Sequence, residues 1–265
     1  MRTLKLISAS LRGYRAAISL VLALGLITTT TSASDVALAD NNEGDKELLA
    51  SQECVVLLHG LARSHRSMSP LKESLRGQGY HVVNSDYNSL DAPIEELAPR
   101  AIDHAIAACP ANYETVHFVT HSLGGILVRQ YAQHTNSAVI GRVVMLGPPN
   151  KGSELVDRFV KIPGFNALNG FAGKQLGTNT DSKPNTLAEA KFELGIIAGS
   201  KSMNPILSLL LPGQDDGKVT IERTKLEGMK EHLIVPTTHT FMMRNPQVIA
   251  QVSHFLREGE FDQGI

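Results

Sequence analysis

From residue 53 onward the chain alternates between short apolar runs and amphipathic stretches, and this alternation restricts its fold more than any other feature. The apolar runs are ECVVLLHG (53–60), YHVVNSDY (80–87), TVHFVTHS (115–122), AVIGRVVMLGPP (138–149), FELGIIAGS (192–200) and HLIVPTTH (232–239). Between them lie SPLKESLRGQG (69–79), IEELAPRAIDHAIAAC (94–109) and LGGILVRQYAQH (123–134), each with apolar residues at helical spacing. PQVIAQVSHFLREG (246–259) closes the chain, with Pro at its first turn and Gly past its end. Continuous apolar strands separated by helices require a parallel sheet covered on both faces. The expectation is an α/β fold with a reduced, mostly parallel sheet of about six strands and helices on both faces.

Residues 150–191 break the alternation with Gly, Asn, Thr and aromatic residues of weak periodicity, and ELVDRFV (154–160) reads as one short helix. A connection of this length inside a compact domain is usually functional. It leaves the C-terminal edge of a strand, where open α/β sheets bind ligands. The segment is therefore expected to be a lid or cap, with Phe159, Ile162, Phe165, Leu168 and Phe171 as its apolar candidates. NPILSLLLPG (204–213) is a second candidate wall.

The N-terminus reads differently. Arg2, Lys5, Arg12 and Arg15 precede any acidic residue, and the apolar run AAISLVLALGLI (16–27) and a small-residue tail follow. That is the pattern of a secretory signal peptide ending after Ser34 or Ala39. That run of 12 residues is shorter than the ~20 a bilayer span needs. Export, periplasmic or secreted, is expected, with an uncleaved N-terminal anchor as the alternative. Residues 40–265 then form the folded domain. Lys and Arg total 25 against 26 Asp and Glu, a balance that argues against nucleic acid as a partner. No Cys/His cluster at zinc spacing, EF-hand loop or phosphate-binding Gly-Lys-Ser/Thr motif is present, so no metal site is expected.

Ser122 sits where an apolar strand meets an apolar helix. A serine hydroxyl is a poor nucleophile and needs a base, a group that orients the base, and donors for the oxyanion. A tight strand-to-helix turn lifts the serine above the sheet edge and usually reads Gly-x-Ser-x-Gly. Here it reads Thr120-His121-Ser122-Leu123-Gly124, so Thr120 stands where glycine is usual. The oxyanion donors expected are the backbone N–H of Leu123, at the first turn of the helix, and that of Leu61, after His59-Gly60. His59 reads as a structural hydrogen-bonder.

The base should follow the last strand, which selects His239. His232 begins that strand, His254 lies in the closing helix, His117 lies within a strand, and His121 is too close to Ser122 to fold back on it. The acid should lie in LLPGQDDGKVTIE (210–222), where Asp215 and Asp216 are adjacent. Asp216 is preferred, Asp215 is the alternative, and Asp86 is an outside candidate. The acid would hold the imidazole in its working tautomer.

With these residues in place, VVLLHGLARS, VTHSLGGILVR, LGPPNKGSELVD, DDGKV and TTHTFM resemble the bacterial lipase and esterase branch of the α/β-hydrolase superfamily across about residues 53–258. The resemblance implies an α/β-hydrolase fold and hydrolysis of a carboxylic ester through an acyl-serine, with no cofactor. The implied partner is a small-molecule ester or lipid, with room for transient contact with a lipid surface. Thr120 departs from the family pattern, and residues 40–52 are too few and too polar for the first two strands of the full fold. A thioesterase, amidase or acyltransferase on the same triad remains an alternative, as does a silent hydrolase fold used for binding. Cys54 starts the first apolar run and Cys109 precedes the third. The family places those strands side by side, which would put both cysteines at the sheet edge opposite the serine and implies a disulfide. Two buried thiols are the alternative.

Overall fold

The computed structural model describes residues 53–113, 115–135 and 140–264, with the side chains of 166–168 left aside. The expected signal peptide and residues 40–52 lie outside the described residues. Six strands are formed: β1 (Cys54–Leu58), β2 (His81–Asn84), β3 (Val116–His121), β4 (Ile140–Leu146), β5 (Leu194–Gly199) and β6 (Glu231–Val235). They make one sheet in the order β2-β1-β3-β4-β5-β6, and every pairing is parallel. The sheet meets the expectation of about six strands. The strands are shorter than the apolar runs, because residues such as Ser85 to Tyr87 continue past the ladder into the loops that carry the site.

Alternation along the strands divides the core into two layers. Val56, Leu58, Phe118, Met145 and Ile196 face α2 (Ile94–Ala107) and α3 (Leu123–His134). Val55, Leu57, Val119, Val144 and Ile197 face α1 (Ser69–Gly77) and the C-terminal helix α6 (Pro246–Glu258). Phe118 and Phe255, one in each layer, are fully buried, and truncating such a side chain costs about 3–5 kcal/mol. Asn245 caps α6 by accepting the N–H groups of Gln247 and Val248, and Gly259 ends it in the left-handed conformation. α2 carries Pro99 in its second turn, near its start, where a proline removes little of the helix's hydrogen bonding.

A disulfide joins Cys54 to Cys109. β1 and β3 are neighbours in register, Cys54 opposite Val116 and Leu58 opposite Thr120. The bond therefore lies at the N-terminal edge of the strands, while the turn into α3 lies at the C-terminal edge.

Residues 150–191 hold more structure than the single short helix expected. They contain α4 (Glu154–Phe159), α5 (Phe165–Lys174, kinked at Gly170) and a helical turn at Lys183–Thr186. The buried guanidinium of Arg129, on α3, fastens this segment. It donates to the carbonyls of Asn150 (3.0 Å), Pro184 (3.0 Å), Leu187 (2.9 Å) and Ala188 (3.3 Å). Burial lowers its pKa to about 10, so it stays charged at neutral pH.

Candidate active site

The turn between β3 and α3 sets the site. Ser122 has φ +53° and ψ −116°, in the left-handed half of backbone space that a non-glycine residue enters only at a cost. Its N–H donates to Leu146 O at the end of β4 (2.9 Å), which holds the turn against the neighbouring strand. Leu123 opens α3, where helix N–H groups have no intrahelical acceptor. A Cβ on Gly124 would stand 2.7 Å from Leu58 O, so the position after the turn must be glycine for β1 to pass this close. Thr120 is accommodated, fully buried, but its hydroxyl has no partner among the described residues.

The loop after β1 carries the second strained residue. Ala62 has φ +52°; it and Ser122 are the two non-glycine residues with positive φ among those described. The Ala62 N–H donates to Ser89 Oγ (2.9 Å) and the Arg63 N–H to Gly60 O (3.3 Å), fixing the turn that presents Leu61. His59 is stacked on Tyr87 with ring centroids 4.1 Å apart, and its ring nitrogens lie 2.9 Å from Gly60 O and 3.0 Å from Tyr87 O. Burial lowers its pKa. These contacts make it a brace for the loop.

Asp216 and His239 meet on the other side of the serine. His239 Nδ1–H donates to Asp216 Oδ2 (2.7 Å), and the His239 backbone N–H donates to Asp216 O (2.9 Å). Asp216 Oδ1 accepts the N–H groups of Lys218 and Val219 (2.9 Å each), which aims Oδ2 at the imidazole. Asp215 turns away and accepts from Ser208 Oγ (2.9 Å) and the Gly217 N–H (2.7 Å). Asp86 pairs with His65 (2.9 Å). The other histidines considered are engaged elsewhere: His232 with Thr224 Oγ1, His254 with Glu260 O, and His117 with the Arg142 N–H.

Two further residues complete the site and were not singled out for these roles by sequence reasoning. Gly147, at the end of β4, has φ +54°, and a Cβ there would lie 2.9 Å from Asp216 Oδ2 and 3.1 Å from His239 Nδ1. The glycine lets the strand end approach the Asp–His pair. His121, fully buried, donates its Nε2–H to His239 O (2.9 Å), with ring centroids 4.7 Å apart. Burial first, and the neighbouring His239 second, push its pKa well below the ordinary histidine value. No short-range signal in the sequence marks either contact, although the x-Ser-x placement of His121 makes it a neighbour of anything that reaches Ser122.

Ser122 and His239 line one cavity of about 610 Å³. The segment 150–191 contributes Leu155, Val156, Phe159, Ile162 and Phe165 to its wall, and Leu61 and Leu207 complete the apolar part. Of the apolar candidates on that segment, Phe159, Ile162 and Phe165 face the cavity, while Phe171 is exposed and the side chain of Leu168 lies outside the described residues. Of the 204–213 stretch, Leu207 reaches the cavity and Ile206 and Leu209 face outward.

A model of the alpha/beta hydrolase family matches residues 55–252. No curated protein matches the chain in sequence. Among solved structures, the propeptide form of Bacillus licheniformis lipase BlEst2 is similar at 21% identity and TM-score 0.60, over 80% of this chain and 51% of that one. The chain thus spans about half the length of that form. The mature form is similar at 18% identity and TM-score 0.58, over 80% of this chain and 93% of that one. The metagenomic carboxyl esterase MGS0156 is similar at 19% identity and TM-score 0.59, over 71% of this chain and 65% of that one. At these identities the likeness is one of fold.

Proposed function

This chain belongs to the alpha/beta hydrolase family, and we propose that within it the protein is an exported serine hydrolase of carboxylic esters, of lipase or esterase kind. The observation that carries this reading is the joint placement of a strained Ser122 and an Asp216-oriented His239 on one largely apolar cavity. In the proposed reaction Ser122 Oγ attacks the ester carbonyl while His239 Nε2 takes its proton. The negative oxygen is received by the N–H groups of Leu123 and Leu61. Asp216 Oδ2 accepts from His239 Nδ1–H and stabilises the imidazolium. His239 then returns the proton to the departing alcohol. Water, deprotonated by the same nitrogen, cleaves the acyl-serine and frees the acid.

The apolar side chains of Phe159, Ile162 and Phe165 favour an apolar acyl group, and the segment 150–191 acts in this reading as a cap. The disulfide supports export, because such bonds persist in oxidising compartments. The test is hydrolysis of p-nitrophenyl esters of rising acyl length by wild type and Ser122→Ala. Turnover by wild type and a loss of about 10⁴-fold or more in the variant are expected. Near-normal turnover by folded Ser122→Ala sinks the mechanism, and cleavage of thioesters or amides in preference to oxygen esters replaces the substrate class.

A further inference from the structure

Four chain segments contribute to the wall of the cavity, residues 61–66, 158–174, 200–213 and 239–245, alongside 218–219 and 149–157, whose Glu154 pairs with Arg223 and whose Asp157 accepts from Thr178. The first four segments are one-sided in charge. Together they carry seven of the chain's 25 Lys and Arg residues and none of its 26 Asp and Glu residues, in a protein of formal net charge −1. The cations are Arg63, Arg66, Arg158, Lys161, Lys174, Lys201 and Arg244, all exposed and none with an ion-pair partner among the described residues. Elsewhere cations are commonly paired, as Arg142 with Glu193 and Arg223 with Glu154.

The same segments carry the exposed apolar side chains. Of seven large hydrophobic residues exposed among those described, six lie here: Ile162, Phe171, Met203, Ile206, Leu209 and Phe241. Leu209 is 85% and Ile206 73% exposed, on either side of the cavity-lining Leu207. Cations stand beside the rings, with Lys174 Nζ 5.9 Å from the Phe171 centroid and Arg244 Cζ 5.7 Å from that of Phe241. Apolar side chains exposed together mark an interaction surface. A surface that also concentrates positive charge fits a partner with an apolar interior and a negative skin.

We infer that the mouth of this cavity docks on an anionic lipid surface, with its cations on the headgroups and Ile206, Leu209 and Phe171 in the acyl boundary. A second copy of the chain is a poor occupant, because a two-fold contact would set the cationic rim against itself. Nucleic acid shares the phosphate but offers nothing for Leu209 and Ile206. No helix among the described residues is long and apolar enough to cross a membrane, so attachment through this face is peripheral. Each cation near an anionic surface adds attraction that salt screens, which makes composition and ionic strength the controlling variables. The inference deepens the ester-hydrolase reading by giving the site a lipid-borne substrate, but docking does not require turnover.

The experiment is flotation of the protein, as recovered after export, with vesicles of phosphatidylcholine alone and of an equal mixture with phosphatidylglycerol. Binding to the anionic vesicles is expected to be roughly tenfold tighter or more, and to weaken steeply with added salt. The combined variant Lys161→Glu, Lys174→Glu, Arg244→Glu should lose roughly tenfold or more on anionic vesicles. Ile206→Ser with Leu209→Ser should weaken binding on both compositions. Both variants should hydrolyse soluble p-nitrophenyl acetate like wild type, which shows that they fold. Ser122→Ala should bind vesicles unchanged, so a dead site with intact docking counts against the hydrolase reading alone. Equal binding to the two compositions, undiminished binding by the charge variant, or a dimer that Leu209→Ser dissolves would each overturn the inference.

Discussion

His121 donates its Nε2–H to the backbone carbonyl of His239 (2.9 Å), so the residue before the candidate nucleophile holds the loop of the candidate base. Burial first, and the neighbouring His239 second, push its pKa well below the ordinary histidine value, although this hydrogen bond acts in the opposite sense. In the unfolded chain the same ring takes a proton below about pH 6.5, while the folded one does not. The unfolded state then binds more protons, and stability falls as pH drops through that value toward the folded pKa. His59 and His232, also lowered by burial, act in the same sense. Between pH 7.5 and 5.5 His121 alone should remove at most about 1.4 kcal/mol. Urea unfolding at the two pH values should show His121→Gln less acid-sensitive than wild type; equal losses in the two proteins contradict the assignment.

Asp216→Asn should lower kcat by about 10⁴-fold, because an amide stabilises the wrong imidazole tautomer. Asp215→Asn should stay within about tenfold of wild type, since its Oδ1 contacts to Ser208 and Gly217 can be kept by an amide oxygen. Steady-state kinetics of the two purified variants checks this. A collapse in the second with a mild effect in the first would exchange their roles.

Reducing the Cys54–Cys109 bond should destabilise the protein and spare its chemistry. The sequence separation of 55 gives an upper figure of about 4 kcal/mol from chain entropy. The bond sits at the N-terminal edge of β1, away from the turn at Ser122. A Cys54→Ala, Cys109→Ala variant should melt at lower temperature and, while folded, keep its ester turnover. Unchanged melting would show that the cross-link adds nothing.

Arg129→Met should destabilise by about 2–4 kcal/mol, since four backbone carbonyls lose their donor in a buried place. The damage should concentrate in the segment it fastens. Limited proteolysis should cut the variant within residues 150–191 faster than wild type while leaving the sheet intact, and an unaltered digestion pattern would contradict the clamp.

The sheet and the positions of Ser122 and His239 were legible because both lie at the ends of apolar runs, where strand pattern changes to helix or loop. Choosing between Asp215 and Asp216 depended on which carboxylate the Gly217 turn directs inward, and that is a matter of backbone geometry rather than residue type. α5 escaped notice because Gly164, Gly170 and Gly173 interrupt its periodicity, and its kink at Gly170 is backbone no pattern encodes. Arg129 looked like one more polar position on a helix. Its partners stand 21 to 59 residues away and are carbonyls, which carry no sequence signature. Gly147 and His121 are in the same position, since their meaning comes from what the fold brings beside them.

The sheet order has a consequence for how the molecule fails. Among the described residues β6 is an edge strand, paired only with β5, and His239 lies in the loop that follows it, whereas Ser122 rises from β3, near the middle of the sheet. An edge strand opens at lower cost than a central one. On warming, the histidine loop should therefore detach from a scaffold that is still largely native. Loss of the site's geometry should then begin at the rim, as a local and reversible parting of His239 from Ser122, before the core lets go.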